Sequence, residues 1–163
     1  MFKVFKPREI PIEYSQYQFR FLKLAVEQGE LNLSPSYQRG DEWDLSDQIK
    51  LIESVFNRVD IGRVLLKNFD NSQGIMEVID GKQRITALTD YMANKFEVKG
   101  YLYSDLPELD RSTFLNHHIG IGFVDGRVSD DKVKEIFLAV NTNGRTVSDE
   151  HLDNVKKQLK LKD

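Results

Sequence analysis

The sequence predicts an α+β fold, on three observations. Helical-period apolar segments alternate with short β-prone runs, a hairpin composition sits mid-chain, and the second strand of that hairpin runs through a Gly-containing turn straight into a helix. The helices outweigh the strands. No internal repeat, low-complexity run or linker rich in Gly, Ser or Pro divides residues 1–163, so one compact domain is expected, with a C-terminal helix or tail over 151–163.

The elements follow in chain order. Over residues 16–28, apolar Phe19, Leu22, Leu24, Ala25 and Val26 precede Gly29 in the place of a C-terminal glycine, which predicts a helix. Asp44 to Ser46 offers cap side chains, and Ile49, Ile52, Val55 and Phe56 line one face of a second helix. Residues 63–69 and 75–79 are β-prone around the turn-forming Asp70-Asn71-Ser72-Gln73-Gly74, which predicts a hairpin. Ile85, Leu88 and Met92 give a helix over 84–93. A short strand near 96–101, a helix over 107–116 and a strand over 119–124 come next. Ser129 is placed to cap a helix running to Val140, and Ser148 another running to Lys160.

Composition bounds the function. The chain has 23 Lys+Arg against 26 Asp+Glu, a net charge of −3, which excludes a uniformly basic nucleic-acid coat. Sorted along the chain, residues 1–39 carry six basic and four acidic groups, 40–150 carry 13 and 20, and 151–163 carry four and two, or +2, −7 and +2. An acidic body with cations at a few isolated points suits a compact anion better than a long polyanion track. With no cysteine, disulfides, thiol nucleophiles and cysteine-built metal sites are impossible. No apolar run approaches the roughly 20 residues of a membrane span, and the first residues lack a signal peptide's apolar stretch, so a soluble cytosolic protein is expected.

Chemistry concentrates in Asp80-Gly81-Lys82-Gln83-Arg84, between a predicted strand and helix. Glycine permits the tight turn, and the first helical amides have no intrahelical partner. The helix dipole adds partial positive charge there, so an anion is the natural ligand. Lys82 and Arg84 add charge, and a guanidinium grips two phosphate oxygens at once. Asp80 is placed either to hold a divalent cation or to orient Arg84. The plain alternative is a strand-to-helix turn whose Asp caps the helix while its cations face water. No Gly-x-x-x-x-Gly-Lys-Ser/Thr run is present, which argues against a P-loop NTPase. Gly120-x-Gly122 in a strand-like run reads as close packing, and adjacent His117 and His118 point to opposite faces of a strand and cannot readily share a metal.

Two further stretches flank this turn in sequence: Tyr37-Gln38-Arg39 with Trp43, and Phe137-x-x-x-Asn141-x-x-Gly144. Tyr37 and Trp43 read as core packing more readily than as base-stacking groups. The three stretches together, in this order over about 31–150, resemble the ParB-like N-terminal domain of GmrSD-type modification-dependent restriction enzymes. The third position of the loop departs from that family's Asp-Gly-Gln-Gln-Arg in being Lys82. Gly81-x-x-Arg84-x-x-Ala87 also resembles the phosphate-binding box of ParB proteins.

The resemblance implies a ParB/sulfiredoxin-like compact domain with a small mixed sheet and several surrounding helices. It implies a nucleoside-triphosphate site with Mg²⁺, possessing or lacking hydrolysis, that switches a protein partner acting on DNA. Arg39, Gly81, Lys82, Gln83, Arg84, Asn141 and Asn143 are the nucleotide-binding set. Asp80 and Arg84 are the catalytic pair if the domain is an NTPase, and Asp80, ahead of Glu42 or Asp44, is the magnesium ligand. A nuclease domain follows this one in larger members, and 151–163 holds none. The competing readings are a non-catalytic interaction or decoy module of the same fold, and a ParB-like DNA-binding protein, the latter disfavoured by the net charge.

Overall fold

The computed structural model describes residues 12–35, 43–69, 74–142, 153 and 155–157. Within them the chain runs β1 (Ile12–Gln18), α1 (Phe19–Glu27), β2 (Leu31–Asn32), α2 (Leu45–Phe56), β3 (Arg63–Lys67) and β4 (Met76–Asp80). It continues through α3 (Lys82–Met92), a 3₁₀ turn (Tyr103–Asp105), α4 (Glu108–Leu115), β5 (His118–Val124) and α5 (Asp130–Thr142). The strands form one mixed sheet in the order β1-β5-β3-β4-β2, with β3 and β5 parallel and the hairpin β3–β4 antiparallel. This is the α+β fold expected.

Alternation along the strands feeds two cores. Val64, Leu66, Val78, Ile119 and Ile121 face the larger cluster, built with α1, α2, α3 and Phe114 of α4. Leu65, Ile79 and Val124 face the other way, onto Val133 and Phe137 of α5. The sheet is thus covered on both faces, with α5 and the helical Val155 on the second among the described residues.

Local signals hold where they were strongest. Asp44 caps α2 by accepting from the Asp47 amide at 3.0 Å, and hydrogen bonds from Ser46 and Asp47 hold its carboxyl below the usual range. Ser129 Oγ accepts from the Lys132 amide at the head of α5. The expected helix from Ser148 lies largely outside the described residues.

Three expectations are corrected. Residues 16–18 are strand, and the helix begins at Phe19, because Gln16, Tyr17 and Gln18 pair with Gly120, Ile119 and His118 of β5. The helix expected from residue 84 begins at Lys82, so Lys82, Gln83 and Arg84 form its first turn rather than a loop. Residues 96–101 form no strand: Val98 and Tyr101 make one isolated bridge around a tight turn, where Lys99 and Gly100 have φ of 52° and 80°.

The connection from α4 to β5 carries a pH-dependent group. The His117 carbonyl accepts from the Phe19 amide at 2.9 Å and its ring lies 5.0 Å from the Phe19 ring. Burial first, then the like charges of His118 and Arg58, hold its pKa below the ordinary histidine value. The unfolded chain therefore takes up this proton first. The contribution to stability is present above the unfolded value and is lost as pH falls through it toward the folded one. Urea midpoints are expected to drop from about pH 7.5 to about pH 5.5 in the native chain and to drop less in His117→Gln.

Candidate functional site

The site is assembled from the hairpin end upward. The β3–β4 register shifts between Leu65 and Leu66, so that Leu66 faces Val78 while Leu65 faces Asp80 and Ile79 is extra. Such a bulge re-aims the side chains at a strand end. Immediately after it Gly81 adopts φ 93° and serves as the N-cap of α3, with no side chain to cap the first turn. A Cβ at Gly81 would meet Val64 Cγ1 at 2.5 Å and Arg84 Nη1 at 3.0 Å. Only glycine lets the backbone lie this close.

Arg84 folds back over this turn. Its Nη1 donates to the Arg63 carbonyl and lies 3.8 Å from Asp80 Oδ2, and both side chains are less than one-fifth exposed. The Cζ, Nε and Nη2 atoms lie against Gly62, itself at φ 83°. Of the two roles open to Asp80, the pairing with Arg84 is the one observed. The alternative that Asp80 caps the helix is not, since Gly81 occupies the cap position. Lys82 is part-buried and has no carboxylate partner among the described residues.

One flanking motif reaches the same place. The Trp43 amide donates to Gln83 Oε1 at 3.3 Å, and the Trp43 carbonyl accepts from Gln48 Nε2 at 3.4 Å. Trp43 therefore sits against the first turn of α3, while Tyr37 and Gln38 of the same motif lie outside the described residues. Trp43 itself packs partly buried on the larger core, in line with a packing role. Arg39, Glu42 and Asn143 lie outside the described residues. Asp44, the other lesser magnesium candidate, is engaged in capping α2.

Asn141 arrives from the second face. Lys67 Nζ holds Asp130 at 3.2 Å, and α5 packs Val133 and Phe137 with Leu65 and Ile79 of the sheet. Near its end Asn141 is 3% exposed and its Nδ2 donates to the Phe137 carbonyl at 2.8 Å.

Sequence reasoning missed Arg63 and Gly62, whose backbone receives Arg84, and Thr86, whose Oγ1 is buried without a hydrogen-bond partner one turn past Gln83. No local pattern marks them; only the register of β3 does. The Gly120-x-Gly122 run is close packing, as expected: the Arg63 stem covers Gly120, and the Tyr14 ring covers Gly122. An open groove of about 400 Å³, lined by residues such as Asn68, Phe69, Asp125 and Arg127, lies at the opposite end of β3 and shares nothing with this site.

Among the described residues no helix is long and apolar enough to cross a membrane, and no three His, Asp or Glu side chains gather as a metal cluster. Neither the curated proteins nor the solved structures give a match to the chain. Residues 22–158, which include the Tyr37, Asp80 and Asn141 elements, match the family described as the GmrSD restriction endonuclease, N-terminal domain. The chain belongs to that family of restriction-system domains.

Proposed function

We propose that the turn from Asp80 to Arg84 binds the phosphates of a nucleoside triphosphate, and that the bound state switches a partner acting on DNA. The observation that carries this is the uncapped start of α3 beneath a left-handed Gly81, with Lys82 in its first turn. The first amides of a helix and its dipole favour an anion. Gln83, held by the Trp43 amide, ties the preceding motif to the same turn.

The residues fit a phosphate group better than a metal held by protein alone. Asp80 is the one carboxylate within the turn, and Arg84 already engages it. Magnesium on nucleotides needs only one or two protein carboxylates, so Asp80 is the residue that would hold it, and the ion would supply charge neutralisation on the phosphates. In hydrolysis the protein's part would be electrostatic: Lys82 and the α3 amides oriented toward the charge that develops on phosphate oxygens.

Calorimetric titration of the whole chain with ATP, GTP, CTP and UTP, with and without magnesium, checks this, together with phosphate release. Saturable binding that weakens as salt is raised is expected. Absence of binding to all four would remove the proposal. A non-catalytic interaction module of the same fold is favoured by one observation, the commitment of Arg84 to internal contacts, and it predicts binding or no binding but no turnover.

A further inference from the structure

We infer that Arg84 is a positioning residue that clamps the turn and does not touch the ligand, and that Lys82 is the cation that does; this assignment rests on the phosphate-site reading above. The guanidinium is engaged within the turn. Nη1 donates to the Arg63 carbonyl and sits beside Asp80, while Cζ, Nε and Nη2 lie on the Gly62 side, where a Cβ would be 3.6–3.8 Å away. A Cβ at Gly81 would come within 3.0 Å of Nη1, so glycine leaves the room that this placement of the guanidinium needs.

The clamp ties the start of β3 to the junction of β4 and α3, 21 residues later in the chain, so the end of β4, the first turn of α3 and β3 meet at this one side chain. Pairing with Asp80 offsets the Arg84 charge locally, so the pair presents little net charge to an incoming anion. Lys82 has neither constraint. It lies two residues earlier in the same turn, about 200° around the helix from Arg84, and no carboxylate among the described residues pairs with it. A lysine at this position then has a use: it returns the positive charge that the Arg84–Asp80 pair withholds.

Side-chain NMR of the full chain separates the two roles. In the free protein the Arg84 guanidinium signals are expected to be resolved and slow to exchange, and to stay in place when ATP is added. Lys82→Met is expected to weaken ATP binding about tenfold or more, the range for loss of a charge-assisted hydrogen bond, with the thermal midpoint unchanged. Arg84→Lys, which keeps a donor for the Arg63 carbonyl, is expected to recover most of the binding that Arg84→Met loses. Rapidly exchanging Arg84 signals in the free protein would overturn the clamp, and a large shift of those signals on adding ATP would overturn the division of roles. Unaltered binding by Lys82→Met would overturn the assignment of Lys82. A wild-type chain that binds none of ATP, GTP, CTP and UTP overturns the phosphate-site reading and the Lys82 role with it, while the free-protein signals still decide the clamp.

Discussion

Gly81→Ala is expected to lose nucleotide binding and roughly 2–6 kcal/mol of stability together, combining about 1–3 kcal/mol for a non-glycine residue held at positive φ with about 1–3 kcal/mol for overpacking. The geometry gives both parts. The backbone sits at φ 93°, and an added Cβ would lie 2.5 Å from Val64 Cγ1 and 2.9 Å from its Cβ, on a strand where Leu65 and Leu66 are buried too. Val64 cannot retreat, because Leu66, Val78 and Ile121 fill the same core. Arg84 Nη1, 3.0 Å from the same point, would be pushed off the Arg63 carbonyl. The double variant Gly81→Ala/Val64→Ala separates the causes. It removes the 2.5 Å contact with Val64 Cγ1 while the 2.9 Å contact with Cβ and the positive φ remain, so the loss caused by Gly81→Ala is expected to be smaller in a Val64→Ala background than in the native one, without return of binding. A Gly81→Ala chain with a native midpoint would show that the turn adopts another backbone without cost.

What could be read from the sequence divides along the range of the interactions. The α2 helix and its Asp44 cap, the β3–β4 hairpin, and the α4, β5 and α5 segments depend on side chains within a few residues of each other, and they form close to where the pattern puts them. The strand β1 was not legible. Glu13, Tyr14, Ser15 and Gln16 are all exposed on this edge strand, so no alternation marks it, and it exists because β5 pairs with it across roughly a hundred residues of chain. The candidate site shows the same division. Gly81 between a strand and a helix was readable, though the helix begins two residues earlier than the apolar spacing from Ile85 suggests, because Lys82 and Gln83 carry no apolar mark. The inward role of Arg84 was not, because its acceptor is the carbonyl of Arg63, 21 residues earlier, and the two meet only once the hairpin has its register. The meeting of Trp43 with Gln83 likewise depends on topology.

Phe114→Ala is expected to cost about 3–5 kcal/mol, the range for removing a buried phenylalanine, with a lower thermal midpoint and early loss of α4. Phe114 is 2% exposed and is the buried residue of α4, so it is the main anchor of that helix in the core, beside the partly buried Leu115. Its ring contacts those of Phe19, Phe56, Tyr91 and Tyr103 at centroid distances of 5.3, 5.4, 5.7 and 5.7 Å, three helices and the 3₁₀ turn meeting on one side chain. An eight-residue helix has little stability of its own, so without this anchor α4 is expected to open locally below the global transition. Amide exchange in residues 108–115 reports that opening, and urea denaturation reports the global loss. Phe114→Leu, which keeps most of the volume, should recover a large part of both. Tyr91 and Phe114 touch, and Tyr91 lies on α3, two turns beyond Arg84. The first turn of α3 is held instead by Arg63, Asp80 and Trp43. Nucleotide affinity measured well below the midpoint is therefore expected to change little in Phe114→Ala, and a loss as large as that of Gly81→Ala would mean that α3 moves as one rigid body from the aromatic core to the site.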